Sequence, residues 1–451
     1  MSNSELILII VSAIALLLFL IMYLRIQAFL SLLLVSIGVG LVSGMPPQFV
    51  LQSMQEGMAS TLGYIATVVG IGAIFGQILE SSGGAEAVSA SLIRRFGKDN
   101  AVYALTLAGF IIAISVFFDI GFVILVPVVY SLAKESGKSV LFYGIPLCAG
   151  LAVTHAFIPP TPGPIAVAEL VGANLGWVIV FGFIVGIPTV IVAGPVFGRF
   201  IGHRINVPAP DYLDSPDISA AIDPPPFYLV LAIIGLPLLL ILMNTITADI
   251  LIKQDVISAS STTEIIIFLG HPFTALLIAT LMALYFLGTR RGFSRQQLMD
   301  LSAKALGPAG LIILVTGAGG VFKQVLDDSG IGRTLGTSLA DSGMPPLVLA
   351  YLIAVVVRVT QGSATVAMIT AAGLIAPLLQ FMDVSEQGKA LIVLSIASGS
   401  TILSHVNDSG FWLVGKYFGL SEKQTLQSWT AMETIISVTG FSICFIISFF
   451  V

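Results

Sequence analysis

The chain has 451 residues, of which 57% are hydrophobic and only 10% are charged. Soluble proteins carry about a quarter charged residues, so this composition excludes a water-soluble fold and predicts a polytopic membrane protein. The formal net charge of −5 is mild and gives no sign of nucleic-acid binding, and Cys148 and Cys444 lie in apolar runs that fit neither a disulfide framework nor a metal site.

Apolar runs long enough to cross a bilayer recur along the chain. A transmembrane helix needs about 20 predominantly apolar residues. The first run has no basic residue before it and is longer than a signal-peptide core, so we interpret it as a retained span. The clear single crossings are residues 5–24, 27–43, 60–80, 175–198, 226–244, 264–287, 307–326 and 431–450.

Basic residues between the spans indicate their orientation, because cytoplasmic loops carry an excess of Lys and Arg. Arg94, Arg199 and Arg290 all face the cytoplasm if residues 101–133 enter and leave the membrane on one side, as a re-entrant hairpin. This arrangement places both chain termini in the periplasm. Two full crossings over the same residues satisfy the charges equally well, so the charges alone do not distinguish a hairpin from two crossings.

An internal repeat favours the hairpin. Residues 70–92 read GIGAIFGQILESSGGAEAVSASL and residues 317–339 read GAGGVFKQVLDDSGIGRTLGTSL, with matches at one constant offset. If each half contains a re-entrant hairpin, each half has five crossings, and the odd number inverts the second half. The matched pairs include Gly70/Gly317, Phe75/Phe322, Gln77/Gln324, Ser82/Ser329 and Gly83/Gly330.

We therefore predict an all-α polytopic membrane protein of two inverted repeats, each with about five transmembrane helices, a re-entrant hairpin and a broken helix. The first repeat covers residues 1–198 (hairpin 101–133, broken helix 140–172), and the second covers residues 226–451 (hairpin 345–381, broken helix 388–418). Between them lies a polar segment, residues 199–225, interpreted as a cytoplasmic linker with Asp211, Asp214, Asp217 and Asp223.

Four polar breaks interrupt the hairpins and broken helices, and inverted halves with broken helices are typical of secondary transporters. The breaks are Asp119–Gly121, Thr154–Pro164, Thr360–Ser363 and Ser404–Gly410. Half-helix ends present free N–H groups and a positive dipole end, which suit an anion, so we predict a site for a small hydroxylated carboxylate. The candidate substrate-binding residues are Thr161, Gly163, Thr360, Gln361, Gly362, Ser363, Asn407, Ser409 and Arg358.

Ionisable groups within the membrane cost about 2.5–3.5 kcal/mol each on insertion scales, so each one is expected to have a functional or structural role. Asp119 and Asp408 are candidates for proton coupling or substrate contact, and the alternative for both is a hydrogen-bonded helix cap. His155 and His405 recur in the two halves and are candidates for a proton relay, or else structural hydrogen-bonding groups. Arg358 is expected to pair with a substrate carboxylate or a protein acid, or to snorkel to the interface.

The segments around these breaks resemble the gluconate permease (gluconate:H+ symporter) family, within the wider ion transporter superfamily. The resemblance covers essentially the whole chain. The segments that carry it are FFDIGFVILVPVVYSLAKESG, IPLCAGLAVTHAFIPPTPGP, TQGSATVAMITAAG and SHVNDSGFWLVGKYFGLS.

The resemblance implies proton-coupled uptake of gluconate or a related sugar acid across a bacterial inner membrane. It also implies a homodimer in which a transport region moves against a fixed scaffold, an elevator-type mechanism. Many sodium-coupled relatives have a Ser-Asn-Thr motif at the hairpin tips, whereas these tips read FDIG and TQGS, which weakens the case for sodium and leaves room for a proton on Asp119. We expect no metal and no other cofactor.

Three alternatives stay open from the sequence. Some members of the family carry D-serine, glycerate or other organic anions, so the substrate is not fixed. A passive anion channel is also compatible with inverted halves. An enzyme is disfavoured, because the chain has no HExxH motif, no GxSxG motif with plausible partners and no paired catalytic acids at a cytosolic face.

Overall fold

The computed structural model describes residues 3–209, 224–253, 260–332, 344–379 and 382–451, together with residues 256, 258 and 334. Throughout these residues the regular secondary structure is helical. Most of the predicted linker, including all four of its aspartates, lies outside the described residues, as does the end of the predicted hairpin 345–381.

The first half of the chain begins with two apolar helices and continues with a long one. Pro47 starts the long helix, where its fixed φ and missing N–H are tolerated, and the helix runs to Ser81. A π-helical segment, Val192–Val196, joins the last two helices of this half. The helices are α1 (Asn3–Met22), α2 (Ala28–Val42), α3 (Pro47–Ser81), α4 (Gly84–Phe96), α5 (Ala101–Ile112), α6 (Phe118–Ser136), α7 (Val140–Phe157), α8 (Pro162–Val171), α9 (Leu175–Ile191) and α10 (Phe197–Arg204).

The second half repeats this alternation of long and short helices. A second long helix, which a Ser294 capping box starts, is the counterpart of α3. The helices are α11 (Phe227–Thr245), α12 (Ser261–Gly270), α13 (Pro272–Ala283), α14 (Arg295–Asp328), α15 (Pro346–Gln361), α16 (Ala364–Leu379), α17 (Glu386–Gly399), α18 (Ser409–Tyr417), α19 (Glu422–Thr425) and α20 (Ala431–Ile447).

Length and apolar composition identify the membrane crossings. Among the described residues, seven segments are long and apolar enough to span a bilayer, and one of them, Val140–Val171, contains a helix break. Shorter apolar helices, among them α2, α15 and α16, accompany them. The structure therefore confirms the predicted all-helical, multi-pass membrane protein. The seven segments are Pro47–Ser81, Val140–Val171, Leu175–Arg204, Phe227–Ile252, Pro272–Arg291, Arg295–Asp328 and Glu422–Ile447.

One predicted span is wrong. The sequence predicts a single crossing over residues 264–287, but α12 ends at Gly270 and α13 begins at Pro272. The residue before a proline is disfavoured in the α-helical region. Accordingly His271 has extended backbone angles, and its side chain accepts a hydrogen bond from the N–H of Phe273 at 3.3 Å, which caps α13.

The two copies of the internal repeat have the same local structure where their helices end. Gly83 follows α3 and Gly330 follows α14, and both have φ of 76°. In each copy the preceding serine, Ser82 or Ser329, donates its Oγ hydrogen bond to the carbonyl oxygen three residues earlier at 3.0 Å. A positive φ strongly favours glycine, which accounts for the matched Ser-Gly pairs in the sequence.

The long helices of the two repeats, α3 and α14, pack against each other and run antiparallel. Gly57 contacts Gly320, Leu62 lies beside Gly317, and Gly70 lies beside Leu306, so residue numbers fall along α14 as they rise along α3. A Cβ on Gly57 would come within 2.6 Å of the carbonyl oxygen of Gly320. Glycines at this crossing allow the close backbone approach that helix packing in membranes uses.

Candidate functional site

The first polar break lies earlier in the chain than the sequence predicts. Helix α5 ends at Ile112 and α6 begins at Phe118, so the break covers residues 113–117. The predicted tip, Asp119–Gly121, is wrong because these residues form the first turn of α6. An acidic side chain is stabilised there by the helix dipole, and Gly121 packs on Leu151, whose methyl group would lie 2.9 Å from an added Cβ. Asp119 itself is exposed.

The second break is narrower than predicted. Helix α7 ends at Phe157 and α8 begins at Pro162, so Thr154 and His155 belong to the last turns of α7. Pro162 occupies the first helical position, where its missing N–H costs nothing. The Oγ1 of Thr161 donates a hydrogen bond to the carbonyl oxygen of Ile158 at 2.7 Å.

The breaks of the second half lie close to their predicted positions and contact each other. Helix α15 ends at Gln361 and α16 begins at Ala364, while residues 400–408 separate α17 from α18. Gly362 has φ of 80°, and an added Cβ there would overlap the carbonyl oxygen of Asn407. The Nδ2 of Asn407 donates a hydrogen bond to the carbonyl oxygen of Val359 at 3.1 Å.

Contacts across the two halves bring the four breaks into one region. Gly163, in the first turn of α8, faces Met368 of α16, whose Sδ would lie 2.9 Å from an added Cβ. Phe118, at the start of α6, packs on Trp429 with 5.1 Å between ring centroids. Trp429 in turn donates its indole N–H to the Oγ of Ser404, within the fourth break, at 2.6 Å.

A buried ion pair joins the two breaks of the second half. A guanidinium nitrogen of Arg358 lies 2.5 Å from the Oδ2 of Asp408, and the two side chains are 2% and 12% exposed. Arg358 also donates a hydrogen bond to the carbonyl oxygen of Gly362. The Oγ of Ser404 donates to the same Oδ2 at 2.5 Å, and the N–H of Gly410 donates to Oδ1 at 3.1 Å. Arg358 therefore pairs with a protein acid in this conformation.

Two further acids lie within electrostatic range of this ion pair. Asp119 repels Asp408, so their carboxylates face the same region from different halves. Glu433, in α20, is attracted by Arg358 and repelled by Asp408, and its side chain is buried. Glu433 is not among the residues predicted from the sequence, although an acid at the start of the apolar span 431–450 was a signal that could have identified it.

A small cleft opens beside the two breaks of the first half. It encloses about 300 Å³, counting its open mouth, and Ser115, Phe117, His155, Pro160 and Thr161 contribute to its wall. In the described part of the chain, the Oγ of Ser115 and the Nδ1 of His155 are buried without a hydrogen-bond partner. Buried polar atoms normally have partners, so these atoms are available to a polar ligand. Ser115 was also missed, because its single hydroxyl is unremarkable in the sequence.

The remaining predicted residues divide between satisfied and available groups. The Oγ1 of Thr360 donates to the carbonyl oxygen of Val357 at 2.7 Å, and the Nδ1 of His405 accepts from the N–H of Asn407 at 3.3 Å. By contrast, Ser363 and Ser409 are exposed. Among the described residues, the Nε2 of Gln361 is buried without a hydrogen-bond partner.

Lys323, which has no counterpart in the other repeat, lies at the far end of α8. Its ammonium group donates a hydrogen bond to the carbonyl oxygen of Leu170 at 3.1 Å and attracts Glu169. A cation is favourable at a helix C-terminus, where the dipole is negative. Lys323 therefore connects the long helix α14 to the half-helix whose N-terminus contributes to the second break.

The chain is similar over its length to known permeases. It matches the model of the GntP family permease over residues 5–450. It is 42% identical over 440 residues to the low-affinity gluconate transporter of Escherichia coli (strain K12), covering 98% of this chain and 97% of that protein. It is 40% identical over 440 residues to the gluconate permease of Bacillus subtilis (strain 168), covering 96% and 97%.

Two further matches, one relative and one solved structure, extend the comparison. The chain is 38% identical over 432 residues to the Gnt-II system L-idonate transporter of Escherichia coli (strain K12), covering 96% of each protein. The solved structure of the YdaH transporter of Alcanivorax borkumensis matches with a TM-score of 0.68 at 17% identity, covering 94% of this chain and 98% of that one. This structural match shows a shared fold. From its family match and its relatives, the chain belongs to the GntP permease family.

Proposed function

We propose that this permease is a secondary active transporter that takes up gluconate or a related small hydroxy-carboxylate together with a proton. The names of its relatives support the substrate class, because they include gluconate and L-idonate transporters. The observation that carries the proposal is the meeting of four helix breaks, two from each half, around a buried ion pair. Backbone broken at membrane depth is tolerated only where protein or a water-filled cavity surrounds it.

The substrate carboxylate is proposed to bind between the N-termini of α8 and α16. Of the four helices that begin at the breaks, α6 and α18 already have Asp119 and Asp408 at their N-termini, whereas α8 and α16 have no acid in their first turns. Pro162 and Pro164 lack an N–H, so Gly163 supplies a backbone donor in that turn of α8. The flexible Met368 side chain covers it in this conformation.

The substrate hydroxyls are proposed to bind polar groups that have no partner here or that face solvent. Ser115 and His155 supply such groups in the first-half cleft, and Gln361 supplies another in the second half. The other proposed contacts are Thr161, Thr360, Gly362, Ser363, Asn407 and Ser409, of which Ser363, Asn407 and Ser409 are exposed. The hydroxyls of Thr161 and Thr360 already donate to the backbone, so they are proposed as acceptors. A polyol chain several carbons long needs donors and acceptors on more than one side, and the two halves together supply them.

Proton coupling is proposed to balance charge at the ion pair. The region contains the cation of Arg358 and the acids Asp119, Asp408 and Glu433, so it is negative when every acid is ionised. An incoming carboxylate adds one more negative charge at a place where charges are weakly screened. Uptake of one proton removes that excess, and His155 and His405 are proposed relay groups for its transfer.

An elevator-type movement is proposed to carry the loaded site across the membrane. The antiparallel packing of α3 and α14 supports inverted halves, because these helices contain the two copies of the repeat. We further propose re-entrant hairpins at α5–α6 and α15–α16, a homodimer, a bacterial inner-membrane location and periplasmic termini.

The test is uptake into vesicles reconstituted with the purified protein. Under an inward proton gradient we expect labelled gluconate to accumulate above its external concentration, whereas an inward sodium gradient has no effect. A panel of L-idonate, D-glycerate and D-serine as competitors identifies the preferred substrate. Equilibration without accumulation under every gradient would contradict the symport proposal and identify a passive channel.

A further inference from the structure

Glu433 is the most enclosed acid near the ion pair, and it is not among the site residues predicted from the sequence. Its side chain is 4% exposed. Among the described residues its carboxylate forms no hydrogen bond and no salt bridge. An ionised carboxylate is costly to bury without a partner, so this position favours the neutral acid unless a charge approaches.

The surrounding helices hold Glu433 close to the fourth break. The π-helical segment Leu426–Thr430 directly precedes α20, and two of its residues bond to the break. Trp429 donates to the Oγ of Ser404 at 2.6 Å, and the hydroxyl of Thr430 donates to the carbonyl oxygen of Ser404. Since Ser404 also bonds to Asp408, a rearrangement of the break changes the surroundings of Glu433.

Three ionisable groups from neighbouring segments interact with Glu433. Arg358, from α15, attracts its carboxylate, and Asp408 repels it. Cys148, from α7, is a fully buried thiol within range. The Nε of Arg358 is buried and without a partner among the described residues, so the guanidinium has an unused donor.

The other acids of the region differ from Glu433 in their surroundings. Asp408 receives hydrogen bonds from Arg358, Ser404 and Gly410 on its two oxygens. Asp119 is exposed in the first turn of α6. In the described part of the chain, Glu433 is buried and forms no such bonds.

We propose that Glu433 is the residue that carries the coupling proton. The proposal rests on the proton symport proposed above and assigns its carrier. A proton from the outer aqueous phase binds one carboxylate oxygen of Glu433, so the region loses one negative charge as the substrate brings one in. After the substrate leaves on the inner side, the proton dissociates to the cytoplasm and the carboxylate is again attracted to Arg358. One proton and one monovalent anion then move together, without net charge.

The test compares Glu433→Gln with the wild type and with Glu422→Gln in reconstituted vesicles. Glu422 is exposed and lies on the same helical segment, so its replacement is a matched control. With an inward gradient of one pH unit, we expect the wild type and Glu422→Gln to accumulate gluconate about tenfold, the ratio of the proton concentrations. Glu433→Gln is expected to reach no accumulation, while its exchange of labelled for unlabelled gluconate, which needs no net proton movement, persists.

Two results distinguish failure of the role proposed for Glu433 from failure of the proposed proton symport. Accumulation by Glu433→Gln equal to the wild type would overturn the role of Glu433 and leave proton symport intact. Failure of the wild type to accumulate gluconate would instead overturn the proposed symport.

A second variant covers the case in which Glu433→Gln does not assemble. Glu433→Asp keeps the carboxylate, so we expect gradient-driven accumulation with a displaced pH profile of exchange. An unchanged pH profile in Glu433→Asp would contradict the proposal. A pH indicator provides an independent reading on purified protein, because gluconate binding should take up about one proton in the wild type and none in Glu433→Gln.

Discussion

Arg358 and Asp408 are 50 residues apart in the chain, yet their side chains meet at 2.5 Å and join the break between α15 and α16 to the break before α18. Arg358 also bonds to the carbonyl oxygen of Gly362, so one side chain holds both segments. The pair combines a charge-assisted hydrogen bond with burial. Its loss should therefore affect folding as well as transport.

Replacement of Arg358 by Gln is expected to lower the free energy of unfolding by about 3–5 kcal/mol, because a buried carboxylate loses its cation. The double variant Arg358→Gln/Asp408→Asn should recover part of this loss, since no unpaired charge then remains at the pair. Thermal unfolding in detergent measures the stability of the single and the double variant. Lys389→Gln is the control, because its pair with Glu386 is partly exposed and should contribute less than about 1 kcal/mol. Equal losses of unfolding free energy in Arg358→Gln and Lys389→Gln would contradict this account.

Replacement of Gly362 by Ala is expected to abolish gluconate uptake and to lower thermal stability. The added Cβ would overlap the backbone of Asn407, and the φ of 80° is unfavourable for a residue with a side chain. Gly137→Ala separates the two causes, because Gly137 has φ of 68° with no atom within 4 Å of an added Cβ. That control should cost only the strain, about 1–2 kcal/mol. Normal uptake by Gly362→Ala would show that Gly362 and the backbone of Asn407 are not held in contact during transport.

Replacement of Lys323 by Met is expected to destabilise the protein by about 1.5–3 kcal/mol, the range for a hydrogen bond to a charged group. The variant leaves the carbonyl of Leu170 and the carboxylate of Glu169 without their cation. Lys323→Met/Glu169→Gln should be more stable than Lys323→Met alone, as a double-mutant cycle in detergent would measure. Additive losses would indicate that Lys323 and Glu169 do not interact.

Cysteine labelling tests whether the two repeats face opposite sides of the membrane. Ser81 and Asp328 end the equivalent helices α3 and α14. The native thiols of Cys148 and Cys444 are buried, so background labelling should be low. A membrane-impermeant maleimide should label Ser81→Cys only in inside-out vesicles and Asp328→Cys only in intact cells. Labelling of both from one side would contradict the proposed inversion.

The sequence identifies the helical membrane fold because that fold depends on long apolar runs. Where the prediction fails, a local backbone effect decides. The single span over residues 264–287 is interrupted because Pro272 disfavours helix at His271. The first break moves to residues 113–117 because Asp119 suits a helix N-terminus, although a lone aspartate in an apolar run resembles a break. Neither effect changes the average hydropathy.

The site was less accessible to sequence reasoning than the fold. Asp408 and Arg358 stand out as charges beside breaks, but their mutual contact depends on the packing of two segments. Glu433 escapes notice because it lies at the start of an apolar run, and acids are common at the boundaries of such runs. Ser115 becomes visible only once its hydroxyl is found buried at a cleft without a partner.

The bonds of Arg358 also bear on where the region of the four breaks can widen. Separation of the two second-half segments would expose a guanidinium and a carboxylate to a nonpolar surrounding, and this penalty keeps those segments together. The first-half cleft differs, because among the described residues the Ser115 hydroxyl and the His155 Nδ1 in its wall have no protein hydrogen bond to break. Entry of a ligand should therefore displace the first-half segments and leave the two second-half segments in contact.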